Sequence, residues 1–182
     1  IESLCHEASV QNPSDPAGMM DALPEIVVAA NLNGAGQIVV AGHLAAVERF
    51  EALAEGARVK TIRVKVSAPF HSPLMRRAAE GMTPILAALA IRRARFDVLR
   101  NVDAGVHGDA DSVRAALLAQ ITAPVRWEEC ARNVIGRVPM ALEIGPGKIL
   151  TGLMKRIDRQ FSCLPVGDPA GVRAALAALE AP

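Results

Sequence analysis

The sequence is poor in aromatic residues: of 182 residues only 3% are aromatic, tyrosine is absent, and there is one tryptophan. Neither sign of charge dominates, since 20 Lys and Arg stand against 19 Asp and Glu. Together with a hydrophobic fraction of 51%, this balance excludes an acidic disordered tail, a collagen-like repeat and a basic nucleic-acid-binding arm. No apolar run approaches the roughly 18 residues that cross a bilayer. We expect a globular protein with neither a nucleic-acid nor a membrane partner.

Cysteine is also scarce, with Cys5, Cys130 and Cys163 widely spaced and odd in number. This spacing fits neither a disulfide framework nor a CxxC metal motif. None of the four histidines has zinc-ligand spacing to cysteines or carboxylates. The amino terminus lacks the basic and apolar regions of a signal peptide. We therefore predict no metal site and a cytoplasmic location.

The chain begins within a helical pattern and without an initiating methionine. Ile1, Leu4, Cys5 and Ala8 follow the i, i+3, i+4, i+7 spacing of an amphipathic helix. An element already under way at the first residue favours a piece of a longer protein, and we expect an amino-terminal part to precede it.

The first third of the sequence predicts the order α-β-β-α-β. After a loop rich in Pro, Asp, Asn and Gly at residues 11–21, two apolar runs flank a glycine-containing segment and predict a β-hairpin. The predicted elements are a helix at 1–8, hairpin strands at 26–30 and 38–41, a helix at 44–55 and an alternating strand at 61–66. One further strand in front would give a ferredoxin-like subdomain, which we place at residues 1–67.

The remaining residues, 68–182, predict helices that alternate with short strands. We expect strands at 96–99, 140–144 and 163–166, and helices from Pro73, at 109–120 and 127–135, after residue 148 and from Ala170. Such alternation is typical of an α/β domain with a mostly parallel sheet, which binds ligands beyond the carboxyl ends of its strands.

Two loops carry candidate chemistry. His71 lies between the strand predicted at 61–66 and a helix, which suits a general base, but His71 or Ser72 capping that helix is an equally good interpretation. Residues 145–148, Gly-Pro-Gly-Lys, could offer an anion the N-terminus of a helix, although a tight turn explains both glycines better. No Gly-x-Ser-x-Gly nucleophile motif occurs in the sequence, so the base has no identifiable nucleophile here.

Five motifs, in order, resemble the carboxyl-terminal part of malonyl-CoA:acyl carrier protein transacylases and the related acyltransferase domains of fatty-acid and polyketide synthases. They lie at residues 31–43, 68–75, 101–103, 124–127 and 143–153. The resemblance implies a partial α/β-hydrolase-like acyltransferase core with a ferredoxin-like small subdomain that lacks its first strand.

The resemblance also implies a ping-pong reaction. A serine takes malonyl from malonyl-CoA and passes it to the phosphopantetheine thiol of an acyl carrier protein, with His71 as the base. A backbone carbonyl near the Pro-Val-x-Trp motif would orient the His71 ring, which points to Val125 or Arg126. Malonyl-CoA is a substrate, and no cofactor is implied.

Further residues carry implied roles in the substrate site. Phe70 matches the phenylalanine of members that prefer malonyl, because its ring would crowd an α-methyl group. Asn31 and Asn33 correspond to a segment near the substrate cleft, and a role as hairpin turn residues is equally open for both. The family's serine, its carboxylate-binding arginine and its oxyanion-hole glutamine would lie before Ile1. We therefore expect the chain to be inactive alone and to need the missing amino-terminal part.

The acidic acyl carrier protein would be steered to a basic patch. Arg92, Arg93 and Arg95, or Lys155, Arg156 and Arg159, are possible sites, with a solvated helix face as the simpler interpretation. Two alternatives to the transferase stay open. The chain could be a non-catalytic acyltransferase remnant that binds a carrier protein or another subunit, or a hydrolase that passes the acyl group to water.

Overall fold

The computed structural model describes residues 1–9 and 25–180, so the predicted loop at 11–21 lies outside the described residues. The chain divides into two compact units, one formed by residues 1–32 and 38–126, the other by residues 33–37 and 127–182. The boundary expected after residue 67 falls inside the first unit and stays a prediction.

The elements in chain order are α1 (Glu2–Ala8), β1 (Val27–Gly34), β2 (Gln37–Gly42), α2 (Leu44–Gly56), a 3-10 turn (Pro73–Met75), α3 (Arg76–Ala88), α4 (Ala110–Thr122), α5 (Trp127–Ile135), β3 (Met140–Ile144), α6 (Ile149–Ile157), β4 (Ser162–Val166) and α7 (Pro169–Glu180). Most of the predicted helices and the hairpin are confirmed, with shifts of a few residues at their ends. Within the described residues, no helix combines the length and the apolar character needed to span a membrane.

The core of the first unit lies between α1, α2 and β1. On α2, Ala46, Phe50 and Ala54 recur every four residues and so form one buried face. Cys5 and Ala8 of α1 and Val27 of β1 complete the same cluster. The amphipathic spacing seen in the sequence is therefore the spacing that packs the two helices together.

The hairpin turn is shorter than predicted. β1 runs to Gly34 and β2 starts at Gln37, so only Ala35 and Gly36 connect the strands, with φ angles of 50° and 77°. Gly34 is also in the left-handed region, and a Cβ added there would lie 2.8 Å from Ile157 Cγ1. Asn31 and Asn33 are consequently strand residues, and their interpretation as turn residues is wrong.

Two predicted strands are not formed. Residues 61–66 join no ladder, and the apolar side chains at alternate positions, including Ile62 at 76% exposure, face solvent. Near residues 96–99 there is only a single antiparallel bridge between Leu99 and Val106. Alternation marks a strand only where a neighbouring strand can pair with it, and no strand of the described part pairs with either segment.

The loop after residue 66 leads into two packed helices, α3 and α4. α3 continues through Gly81 and Pro84. Arg114 of α4 donates to the carbonyls of Leu86 and Leu89, at 3.1 and 2.8 Å. It thereby supplies donors to carbonyls at the end of α3, where the Leu86 carbonyl also accepts from the Leu89 N–H at 3.3 Å.

The second unit contains a two-stranded parallel sheet in which Met140 to Ile144 pair in register with Ser162 to Val166. α6 links the two strands, and both α6 and α7 pack against β4. Leu153 and Met154 of α6 and Ala175 of α7 are the buried residues of these helices. The β-α-β connection confirms the predicted α/β class and the parallel direction of its strands.

Phe50 provides a test of the first unit's core. Phe50→Ala should lower the free energy of unfolding by about 3–5 kcal/mol, because it removes a ring that is 4% exposed and leaves a cavity. The measurement is urea unfolding followed by circular dichroism. Phe96→Ala removes the same ring from a site that is 76% exposed, and should change stability by less than about 0.5 kcal/mol. Equal losses in the two variants would contradict the assigned core.

Candidate active site

The His71 imidazole is held by a backbone carbonyl. Its Nδ1 lies 2.9 Å from the carbonyl oxygen of Gln120 in α4. Because a carbonyl can only accept, Nδ1 must carry the proton in this contact. In the neutral ring, Nε2 is then the unprotonated nitrogen and can accept a proton. The half-buried ring therefore has the tautomer of a general base.

The backbone at His71 is strained. Its φ of 59° lies in the left-handed region, which is uncommon for a residue with a Cβ. Such conformations persist where the surroundings impose them, and they concentrate at functional sites. A helix cap alone would not require this conformation, so the strain favours the functional interpretation of His71.

Ser72 fixes the loop next to His71. It is the buried polar residue of the described chain, with 0% exposure. Its hydroxyl donates to the Pro69 carbonyl at 2.7 Å and accepts from the Leu74 N–H at 3.3 Å. Ser72 therefore caps the 3-10 turn, which separates the two interpretations left open by the sequence: the cap is Ser72, and the His71 ring is engaged elsewhere.

The orienting carbonyl differs from the expected one. The Val125 carbonyl accepts from the Leu32 N–H at 2.8 Å, and the Arg126 N–H donates to the Asn101 carbonyl at 2.7 Å. These hydrogen bonds join the segment after α4 to β1 and to the motif at residues 101–103. The expectation that Val125 or Arg126 orients the ring is wrong, because Gln120 supplies the carbonyl.

Sequence reasoning missed Gln120 because its contribution is a backbone oxygen, which any residue type supplies. Gln120 lies in the last turn of α4, where carbonyls have no intrahelical donor and carry the partial negative charge of the helix end. The signal that the sequence offered was the position of Gln120 in the last helical turn, four residues before Pro124.

The implied substrate residues are distributed over both units. Phe70, adjacent to His71, is 47% exposed. Asn31 forms a parallel bridge with Val125, five residues beyond Gln120. Asn33 belongs to the second unit. The structure joins Asn31 to the segment that leaves α4, and substrate contacts of Phe70, Asn31 and Asn33 stay predictions.

The other histidines have different environments. His43 Nδ1 accepts from the Ile26 N–H at 3.0 Å, so this ring has the opposite tautomer from His71 and joins strand to helix. The Nδ1 of His107 is buried without a hydrogen-bond partner. It lines a cavity of about 220 Å³ together with Asn101 and Gln120. Among the described residues, no group of three metal-ligating side chains occurs.

The Gly-Pro-Gly-Lys turn at 145–148 precedes a helix N-terminus that is already occupied by an internal anion. The Glu143 carboxylate accepts from the N–H groups of Leu150 and Thr151 and from the Thr151 hydroxyl, at 2.9, 2.7 and 2.6 Å. Burial alone would raise the pKa of Glu143, but these hydrogen bonds together hold that pKa below its ordinary value. The turn therefore serves the fold, as the simpler interpretation predicted.

An α/β chain that presents the unprotonated nitrogen of a carbonyl-oriented imidazole has a base of the kind used in covalent acyl transfer. No protein-family model matches the chain. The malonyl CoA-acyl carrier protein transacylase of Bacillus subtilis (strain 168) is 39% identical over 157 residues, which cover 85% of this chain and 50% of that protein.

Solved structures agree with this relationship. Malonyl-CoA:acyl carrier protein transacylase from Xanthomonas oryzae superposes with a TM-score of 0.87 at 36% identity, covering 97% of this chain and 53% of that one. A malonyl-transacylase in complex with its type II PKS acyl-carrier protein gives a TM-score of 0.87 at 35% identity, covering 97% and 54%. The chain thus belongs to the family of malonyl-CoA:acyl carrier protein transacylases and corresponds to their carboxyl-terminal part. It spans about half the length of the curated relatives it matches.

Glu143→Gln tests the internal anion. Because folding lowers the pKa of Glu143, its ionised form adds stability above the unfolded value of about 4.3, and this contribution is lost as pH falls through the lower folded pKa. The variant should be less stable than the wild type at pH 7, with the difference shrinking as the solution is acidified. Urea unfolding at several pH values measures this. Glu55→Gln, at an exposed site, should show no such trend, and a pH-independent loss at Glu143 would contradict the assignment.

Proposed function

We propose that the chain is the carboxyl-terminal part of a cytoplasmic malonyl-CoA:acyl carrier protein transacylase of fatty-acid or polyketide biosynthesis, and that His71 is its general base. The observation that carries the proposal is the hydrogen bond from His71 Nδ1 to the Gln120 carbonyl, which leaves Nε2 unprotonated. The homology supports the substrate class, since the relatives are named for malonyl-CoA and acyl carrier protein.

In the first half-reaction, His71 Nε2 takes the proton of a serine hydroxyl as the serine oxygen attacks the thioester carbonyl. A C–O bond forms, the C–S bond breaks, and the imidazolium returns its proton to the leaving coenzyme A thiolate. In the second, the carrier's pantetheine thiol gives its proton to Nε2 and attacks the malonyl ester. A C–S bond to the carrier forms, the C–O bond breaks, and the serine oxygen recovers the proton from the imidazolium.

The serine, the arginine for the malonyl carboxylate and the oxyanion-hole glutamine are proposed to come from the half of the relatives that this chain does not align with. The arginine would bind the malonyl carboxylate by charge-assisted hydrogen bonds, and the glutamine would stabilise the developing oxyanion. Malonyl-CoA is the substrate in this scheme, and the reaction requires no cofactor.

The proposed architecture is a ferredoxin-like subdomain at 1–67 inserted in an α/β-hydrolase-like core that includes 68–182. The exposed alternating segment at 61–66 supports it. β2, α2 and this segment follow one another as in a split β-α-β unit, and an additional strand beside residues 61–66 would give this segment a ladder partner. The missing first strand would come from the amino-terminal part of the protein.

The acyl carrier protein is proposed to dock on a basic surface. Lys155, Arg156 and Arg159, at and just beyond the end of α6, are exposed. Arg92, Arg93 and Arg95 form a second exposed basic run. Arg156 also bonds Gln37, so part of its charge already has a polar partner. Electrostatic steering of an acidic carrier would use either run.

His71→Ala tests the proposed base. The chain would be joined to the amino-terminal half of the Bacillus subtilis relative, and transfer of radiolabelled malonyl from malonyl-CoA to acyl carrier protein would be measured. Loss of the proton acceptor should lower kcat by roughly 10²–10⁴-fold. His6→Ala removes an exposed histidine and should leave the rate within about twofold.

Each outcome of this experiment has a distinct meaning. A hybrid that transfers malonyl and keeps its rate in His71→Ala contradicts the base assignment. A folded hybrid without activity, beside an active Bacillus subtilis enzyme, favours the non-catalytic remnant. Malonyl released to water instead of the carrier thiol favours the hydrolase.

Phe70 is the proposed selector of the acyl group. In the same hybrid, Phe70→Ala should raise the kcat/KM for methylmalonyl-CoA relative to malonyl-CoA by roughly tenfold, because it removes the ring that would crowd the α-methyl group. Competition between the two thioesters gives this ratio directly. Phe96→Ala, an equally large change at an exposed site, serves as the control. An unchanged ratio in Phe70→Ala would assign the selection to other residues.

A further inference from the structure

The Gln120 carbonyl is available to His71 because a proline follows the end of α4. The last helical hydrogen bond of this helix runs from the Ala123 N–H to the Ala119 carbonyl, at 3.0 Å. The next donor in the same series, onto Gln120, would be the backbone nitrogen of residue 124. Residue 124 is proline, which has no N–H. The backbone N–H that would otherwise compete with His71 for the Gln120 carbonyl is therefore absent.

Pro124 acts on the backbone as well. The residue before a proline is disfavoured in the helical region, and Ala123 is extended, with φ −102° and ψ 155°. The chain then turns away from the helix axis, and the Val125 N–H donates to the Ala30 carbonyl at 2.8 Å. Both effects stop α4 from continuing past Thr122 and covering the Gln120 oxygen.

We propose that Pro124 is a positioning residue for His71: it reserves the Gln120 carbonyl for the imidazole and thereby selects the Nδ1–H tautomer. The inference rests on the proposed function only for its meaning in catalysis. The tautomer itself is a property of the chain in hand, whether or not acyl transfer occurs. Pro124 touches no reacting atom, and it acts through the acceptor that it leaves open.

Replacing Pro124 should create a second donor that competes with His71 for the Gln120 carbonyl. An alanine at position 124 would bring back a donor and permit helical geometry at Ala123, so that a new N–H could bond the Gln120 carbonyl. The His71 Nδ1–H would then share its acceptor or lose it. A ring without that partner is no longer confined to the tautomer whose Nε2 is unprotonated.

The experiment is nitrogen-15 NMR of the histidine rings in the full 182-residue chain, above the pH at which the rings are protonated. In the wild type, His71 Nδ1 should resonate in the protonated range and Nε2 in the unprotonated range. In Pro124→Ala, the two His71 shifts should move toward each other as the Nε2–H tautomer appears. The new backbone amide at position 124 should be protected from hydrogen exchange.

Two references make the readout specific. His43 has the opposite tautomer and its shifts should stay unchanged in every variant. Pro84→Ala also restores an N–H to a helix, in α3, and should leave the His71 shifts as in the wild type. A change at His71 in both proline variants would indicate a general structural effect and overturn the proposal.

A second substitution separates the missing N–H from the proline ring. N-methylalanine at position 124, introduced by cell-free translation, also lacks the N–H and should keep the wild-type shifts of His71. If Pro124→Ala does not fold, the N-methylalanine variant alone tests the proposal. Mixed His71 tautomers in a folded N-methylalanine protein would overturn it. Wild-type shifts in a folded Pro124→Ala protein overturn it as well. Failure of malonyl transfer in the hybrid enzyme would leave these spectra unaffected, so the two proposals fail independently.

Discussion

The hydrogen bond from His71 Nδ1 to the Gln120 carbonyl is the contact on which the candidate site depends. It joins residues 49 positions apart in sequence and selects one of the two neutral forms of the ring. A carbonyl does this differently from the carboxylate of a serine-protease triad. It does not titrate, so its role as an acceptor persists across the pH range in which the imidazole changes charge. It also brings only the partial charge of a helix end next to the ring, and no second buried ion.

The loop that carries the ring is fixed from its other side. The left-handed backbone of His71 is a cost that the surrounding contacts must outweigh. Ser72 supplies two of these contacts, through a hydroxyl that is fully enclosed and hydrogen-bonded in both directions. An enclosed hydroxyl without partners would be destabilising, so Ser72 stabilises only the loop geometry that satisfies it. The same geometry directs the imidazole to α4, which ties local backbone strain to the tautomer of the ring.

Elements that depend on local periodicity were predictable, and contacts that depend on distant partners were not. The helix at 127–135 and the strand at 140–144 have the predicted bounds, because an amphipathic period or an apolar run between turn residues is sufficient to define them. Residues 61–66 have an equally clear alternation, but a ladder needs a neighbour that the described chain does not provide. His71 was proposed because the sequence placed it between a predicted strand and a helix, whereas Gln120 was not proposed, because any residue type can supply a backbone acceptor. Pro124, four residues after Gln120, is the sequence feature that indicates a carbonyl without a helical N–H donor at Gln120.

The two helix ends that matter most in this chain show how the same backbone groups can serve different purposes. At the start of α6, unpaired N–H groups are satisfied by Glu143, an acceptor on the preceding strand, and the interaction is complete within the fold. At the end of α4, an unpaired carbonyl is satisfied by the imidazole, whose second nitrogen remains able to accept a proton. Helix ends attract groups of complementary charge in both cases. The Glu143 carboxylate only accepts hydrogen bonds from the helix. The imidazole donates from one nitrogen to the helix, and this contact determines that its other nitrogen is unprotonated. This is why our proposal for catalysis rests on the end of α4 and not on the glycine-rich turn before α6.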